Sequence, residues 1–272
     1  MKVALIHDWF AWYSGAERVV EEILNIYPDA DIYTTVDVLT DVEREFLNEK
    51  TIHTSYLQYF PFVKKFYKHY IILFPFCVEK FDLSKYDLII SSSSSVAKGV
   101  VTTKDQLHVC YIHTPARYVW DLREQYIQET GLNHGFKLKM VDFLLNRFQK
   151  WDLSNTHGVN NFIANSNYVK RRVKRIYGRE STVIYPPVDL ELFKILEKKE
   201  DFYFTASRIV PYKKIDLIVE AFNKMPDKKL IVIGKGPGMS KLEELATPNI
   251  QLLGYQPSNV LRDYMRKAKA FI

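Results

Sequence analysis

At 272 residues the chain has room for two domains of ordinary size, and its 47% hydrophobic and 14% aromatic content is ample for packed cores. Its two cysteines, Cys77 and Cys110, each in an apolar context, exclude a disulfide framework, and no apolar run reaches the ~20 residues that a membrane-spanning helix needs. A net charge of +6 points to an acidic partner such as a nucleotide, an anionic lipid surface or nucleic acid. No signal-peptide pattern precedes the first strand-like run, so a cytosolic place is expected.

Val3 to His7 (VALIH) reads as a buried parallel strand. A loop rich in aromatics (Trp9, Phe10, Trp12, Tyr13) leads to Gly15, which opens an amphipathic helix with Val19, Val20, Ile23, Leu24 and Tyr27 at helical spacing. Pro28 ends that helix and Asp31 to Val36 is the next strand, a βαβ opening that predicts a parallel sheet. Gly15 at the helix start fits close backbone approach to a ligand or a plain tight turn. Tyr56 to Phe81 is dense in aromatics interleaved with Lys64, Lys65, Lys68 and Lys80. It reads as a surface for anionic membrane or, more plainly, as helices packed on the sheet with snorkelling lysines.

Asp87 to Ser93 and His108 to His113 are further strands, with Ser91 to Ser95 expected as a polar loop or turn at the end of the first. A helical region from Arg117 to about Asn155 is expected to break near Gly131 and Gly135. Gly158 to Ala164 is a strand, and Asn165-Ser166 a helix cap. The basic run Lys170, Arg171, Arg172, Lys174 and Arg175 on that helix reads as a solvated face, or as one facing lipid phosphates. Pro186-Pro187 stops the strand Thr182 to Tyr185. The charged segment that follows has linker composition, which sets a first domain at 1–190, a linker at 191–200 and a second domain at 201–272. There the βα rhythm restarts: strand 201–206, helix 213–225, strand 229–233, helix 239–246, strand 250–254 and helix 258–268. The last residues read as a strand, so the expectation is two doubly wound α/β domains, the second incomplete at its C-terminal end.

Arg208 and Lys213 lie on a strand-to-helix connection, where an anion gains from a helix N-terminus and from basic side chains; solvated surface is the plainer reading. Gly234-Lys235-Gly236-Pro237-Gly238 fits neither a Walker A loop nor the dinucleotide fingerprint. Asp29-Ala30-Asp31 falls at the amino end of a strand and is rejected as a metal site, and no His/Cys cluster has ligand spacing. His113, at the carboxyl end of its strand, is placed to reach a ligand or to be a satisfied buried histidine.

The run Ser207 to Lys214 with Glu220-Ala221-Phe222, the run Tyr111 to Pro115 with Arg117 to Asp121, and Tyr185 to Asp189 closely resemble the motifs of family-4 glycosyltransferases of the GT-B fold. So do Val232-Ile233-Gly234 and Leu253-Gly254-Tyr255. The likeness covers essentially the whole chain and is nearest to bacterial mannosyltransferases of cell-surface polysaccharide assembly. It implies two Rossmann-like domains facing across a cleft, with a nucleotide sugar, GDP-mannose favoured, held by the second. Arg208 and Lys213 would grip the donor diphosphate, Gly15 would let amides approach it, His113 would contact the sugar, and Gly234 and Tyr255 would line the donor site. It also implies retention of configuration, a glycan or lipid-linked acceptor, and neither metal nor other cofactor. Nucleic acid is not an expected partner; the expected place is cytoplasmic, at the inner face of the cell membrane. Lys64, Lys65, Lys68, Arg171 and Arg172 are candidates for the membrane or acceptor side. The family's acidic donor motif would fall after Ile272, which leaves a non-catalytic sugar-nucleotide or glycan-binding fragment as the alternative expectation.

Overall fold

The computed structural model describes residues 1–129 and 134–272, apart from the side chains of Lys68, His69, Glu129 and Phe136; the expected helix break at Gly131 lies outside the described residues. Two compact units emerge, Met1–Pro187 and Val188–Ile272. The first opens with β1 (Val3–His7), α1 (Gly15–Ile26) and β2 (Asp31–Thr34), as the apolar spacing predicts. After β3 (Ile52–Thr54) come α2 (Val63–Phe66) and α3 (Phe74–Val78), with 3-10 turns at Tyr56–Tyr59 and Tyr67–Tyr70. β4 (Leu88–Ser93), β5 (Leu107–Ile112), α4 (Arg123–Glu129), α5 (Gly135–Ser154), β6 (Asn161–Ala164), α6 (Asn167–Tyr177) and β7 (Ser181–Val183) follow.

These strands form a parallel seven-stranded sheet in the order β3-β2-β1-β4-β5-β6-β7. All five residues of β1 are buried because both sheet faces are covered. Val3 and Leu5 pack with Val20 and Leu24 of α1, while Ala4 and Ile6 meet Phe74, Val78 and Val96 on the other side. The order reverses direction between β1 and β4, and such a switch point opens a crevice beyond the carboxyl ends of the strands. β4 ends at Ser93, as expected for the strand Asp87 to Ser93; Ser91 to Ser93 are buried within it, so of the serine run only Ser94 and Ser95 lie beyond the strand. Cys77 and Cys110 are free and buried, as expected.

The second unit runs β8 (Tyr203–Ala206), α7 (Ile215–Asn223), β9 (Leu230–Ile233), α8 (Met239–Leu245), β10 (Ile250–Leu252), α9 (Ser258–Lys267) and β11 (Ala270–Phe271). Its four strands are parallel in the order β10-β9-β8-β11. Leu230 and Val232 face α7 and α8, whereas Phe204, Ile231 and Ile233 face Leu261 and Tyr264 of α9. The helix expected from residue 213 begins later. Pro211–Lys213 form a 3-10 turn, and Lys214 at φ +53° breaks it from α7. Residues 184–202 carry neither helix nor strand.

Candidate functional site

In the second unit the loops leaving β8, β9 and β10 converge on a cavity of about 300 Å³ lined by Arg208, Gly234 and Tyr255, with Ser207, Lys235 and Gln256. Three residues expected at a donor site are thus brought together at the carboxyl end of one sheet. The loops are held by their backbones: the Ile209 N–H donates to the Lys235 carbonyl (3.2 Å), Gly238 to Ile209 (3.2 Å) and Gly234 to Gly254 (2.8 Å). A Cβ on Gly234 would stand 1.9 Å from the Ser207 oxygen, and one on Gly236 2.1 Å from the Ile209 oxygen. Glycine is required there by backbone contact, so the Gly234 loop acts as a clamp on the Arg208 loop. Arg208 and Tyr255 are exposed, the latter at 75%. Lys213, also exposed, closes the neighbouring 3-10 turn and is not part of the cavity lining.

In the first unit the switch point is occupied by Asp8, whose buried carboxylate accepts the Ser94 N–H (2.5 Å) and hydroxyl (2.8 Å) and the Val96 and Ala97 N–H groups (2.7 Å each). The end of the serine run is therefore a cradle for a buried anion. His113 follows β5, its N–H donating to the Ser93 carbonyl (2.9 Å) and its carbonyl accepting from the Asn165 amide (3.0 Å). Burial, and after it the charge of His7, push the His113 imidazole down to about 4, so the ring is neutral at physiological pH.

The His113 Nε2 lies 2.8 Å from the Ser92 hydroxyl, which is 3.1 Å from His7 Nδ1, and His7 Nε2 is 3.4 Å from Glu17 Oε1. The other Glu17 oxygen accepts the Ser14 N–H (3.0 Å) and hydroxyl (2.6 Å). Burial raises the Glu17 carboxyl, but contact with His7 and Ser14 outweighs it and holds the group below the usual carboxylate range. A Cβ on Gly15, two positions before Glu17, would meet nothing within 4 Å. Sequence reasoning missed His7, Glu17 and Ser92; the one available signal was the Ser14-x-x-Glu17 spacing of a capping box.

Of the expected membrane- or acceptor-side residues, Lys64, Lys65 and Arg171 are exposed. The Lys68 side chain lies outside the described residues. Arg172 is a correction: it is buried, pairs with Asp121 and donates to Thr114, tying α6 to the loop after β5. A helical face turns one residue of such a basic run inward, and here the charge went with it. Asp31 of the rejected Asp-x-Asp triplet is engaged by Lys85 (3.1 Å) and the Tyr86 hydroxyl (2.5 Å). Among the described residues no group of three or more His, Cys, Asp or Glu side chains is placed to hold a metal ion, and no helix is long and apolar enough to cross a membrane.

Residues 13–192 match the family model described as Glycosyltransferase Family 4, and residues 189–272 match Glycosyl transferases group 1. Anabaena HepE, crystallised with UDP, is similar at a TM-score of 0.64 and 16% identity, over 100% of this chain and 73% of that one. A Rickettsia africae glycosyltransferase is similar at 0.55 and 15%, over 99% and 72%. A TarM variant of S. aureus gives 0.57 and 11%, over 100% and 80%. No curated protein matches the chain significantly. Fold and family model together define the class: this is a glycosyltransferase with the GT-B fold. The chain belongs to Glycosyltransferase Family 4.

Proposed function

We propose that the chain transfers a hexose from a nucleotide-diphosphate sugar to a lipid-linked or polysaccharide acceptor, retaining the anomeric configuration. The observation that carries this reading is the convergence of Arg208, Gly234 and Tyr255 on one cavity at the carboxyl ends of β8 to β10. In the reaction the bond from the anomeric carbon to the diphosphate breaks as the acceptor hydroxyl oxygen bonds to the same face and gives its proton to the departing diphosphate. Negative charge then grows on the leaving phosphate, and Arg208 and Lys213 stabilise it. His113 contacts the transferred sugar, and Gly15 lets backbone amides approach the phosphates. Relatives crystallised with UDP and UDP-glucose support a nucleotide-sugar donor. Mannose, carried as GDP-mannose, is the donor sugar we favour, on the likeness of the chain as a whole to bacterial mannosyltransferases of cell-surface polysaccharide assembly. Transfer needs no metal in this reading. Exposed Tyr59, Phe62, Lys64 and Lys65 support a peripheral contact with anionic membrane at the cytoplasmic face.

Calorimetry with GDP, UDP and ADP tests the donor site. GDP is expected to bind tightest, and Arg208→Ala or Lys213→Ala to weaken it by about 1.5–3 kcal/mol each, roughly 10- to 150-fold. Transfer is expected to persist in EDTA. If no nucleoside diphosphate binds, or if the double variant binds as well as the parent, the reading is overturned.

A further inference from the structure

His113 is the fourth member of a hydrogen-bonded line that starts inside α1: Glu17, His7, Ser92, His113. The first three are buried, and they come from the helix start, the end of β1 and β4, so the topological switch point itself assembles them. Glu17 accepts from Ser14 on one oxygen and meets His7 Nε2 with the other. A buried carboxylate requires a cation or several donors; Ser14 already gives Glu17 two, and His7 is the ring that reaches its other oxygen.

The line has two self-consistent directions. If His7 is neutral, with its proton on Nε2, its Nδ1 accepts the Ser92 hydroxyl proton. Ser92 then accepts from His113 Nε2–H, and the Nδ1 of His113 is a bare acceptor. If His7 is an imidazolium paired with Glu17, its Nδ1–H donates to Ser92. Ser92 in turn donates to His113 Nε2, and the single proton of His113 sits on Nδ1. Which nitrogen of an imidazole carries the proton is set by the bond that the other one makes. One proton on His7 therefore decides whether His113 offers a donor or an acceptor.

We infer that Glu17, His7 and Ser92 are positioning residues that hold His113 in a single tautomer, with Ser92 relaying the direction of the His7–Glu17 contact to His113 Nε2. The inference rests on the proposed role of His113 at the sugar: there the ring would present its Nδ1 in one fixed hydrogen-bonding sense. A similar arrangement exists on the same pair of strands, where Ser91 meets His108 Nε2 (2.8 Å) and the Gly158 carbonyl takes the Nδ1–H (3.1 Å). The same sheet thus already holds one serine-backed histidine in a single tautomer.

The test is the ring nitrogen spectrum of the full chain with ¹⁵N-labelled histidine at pH 7, assigned with His113→Gln. The expected result is one tautomer of His113 in the parent protein, changed in Glu17→Gln and in Ser92→Ala and restored in Ser92→Thr. Transfer is expected to fall about 10- to 100-fold in Glu17→Gln, the loss met when the partner that fixes an imidazole tautomer is removed. The fall is expected in kcat more than in KM. A parent His113 that populates both tautomers, or one whose tautomer is the same in Glu17→Gln, overturns the inference, and the parent spectrum alone decides this if a variant fails to fold. The spectrum needs neither donor nor transfer. A single-tautomer ring in a protein that binds no nucleoside diphosphate would sink the proposed function and leave the relay standing.

Discussion

His108 shows how a single ring can govern acid stability. Both of its nitrogens are used by the neutral form, and burial pushes the imidazole down to about 4; the loop histidine His113 is also pushed down to about 4. The unfolded ring titrates near 6.5, so between that value and 4 the unfolded state binds protons that the fold refuses. The stability associated with each ring is complete above pH 6.5 and is lost as pH falls toward 4, by about 2–3 kcal/mol per ring at pH 4.5. Glu17 acts with the same sign at lower pH: its depressed carboxyl favours the fold above the ordinary carboxylate range and stops doing so as it protonates. Urea unfolding of the amino-terminal unit should therefore give a free energy that drops between pH 7 and 4.5, with a shallower drop in His108→Gln. A free energy independent of pH across that window would contradict the assignment. The buried pair Lys98–Asp152, at 2.5 Å, makes the companion point that local sequence is mute about such residues. Asp152 also accepts from the Trp120 ring (2.7 Å) and the Tyr177 hydroxyl (2.8 Å), partners far from it along the chain.

At the scale of the element, the glycines divide by what surrounds them. Gly234 and Gly236 lie against backbone carbonyl oxygens, which cannot swing aside as a side chain can. Gly15 stands at the first turn of α1 with open space where a Cβ would be. Alanine at Gly234 should dislodge the Arg208 loop and abolish nucleotide binding by calorimetry. Alanine at Gly15 should leave the melting temperature unchanged or raise it, since alanine is favoured over glycine in a helix by roughly 0.5–1 kcal/mol. It should nonetheless reduce transfer, because the proposed backbone approach to the phosphates would be obstructed. A Gly15→Ala protein with parental transfer would remove Gly15 from the site. The same division explains what the sequence made legible. Continuous apolar runs such as VALIH and LIVI announce strands covered on both faces, and the parallel order followed from the βα rhythm. β3 (Ile52–Thr54), a three-residue edge strand, carries too little periodicity to be seen, and the full burial of Ser91–Ser93 in β4 is not legible from residues as polar as serine. Those serines are tolerated inside because His108, His113 and Asp8 accept or supply their hydrogen bonds, and such partners come together only once the sheet has formed. The strand-to-helix loop bearing Arg208 was legible as a loop because the apolar runs on either side of it mark β8 and α7; the Gly234 loop that clamps it is distant in sequence.

For the whole molecule, each unit places its polar cluster beyond the carboxyl ends of a parallel sheet, and the first carries a second surface unrelated to that crevice. Between β3 and β4 the aromatic segment divides into a buried and an exposed set. Leu57, Val63, Tyr67, Phe74 and Val78 are buried on the sheet, while Tyr59 and Phe62 stand 85% and 77% exposed with Lys64 and Lys65 beside them. Exposed aromatic rings next to lysines suit the boundary of an anionic bilayer, where each lysine contributes about 1 kcal/mol and each ring adds buried apolar area. The charge of +6 gives long-range attraction, but attraction alone would be screened at about 8 Å under physiological salt. Liposome flotation separates the two contributions. With vesicles containing phosphatidylserine the protein should float, and with pure phosphatidylcholine it should not. Raising the salt should weaken flotation without abolishing it, because the aromatic contribution is not screened. Lys64→Ala with Lys65→Ala should reduce binding by about 2 kcal/mol, roughly 30-fold, and adding Phe62→Ala should remove the salt-resistant remainder. If the triple variant floats like the parent, or if both lipids float it equally, this surface is ordinary solvated exterior and the peripheral membrane contact is wrong.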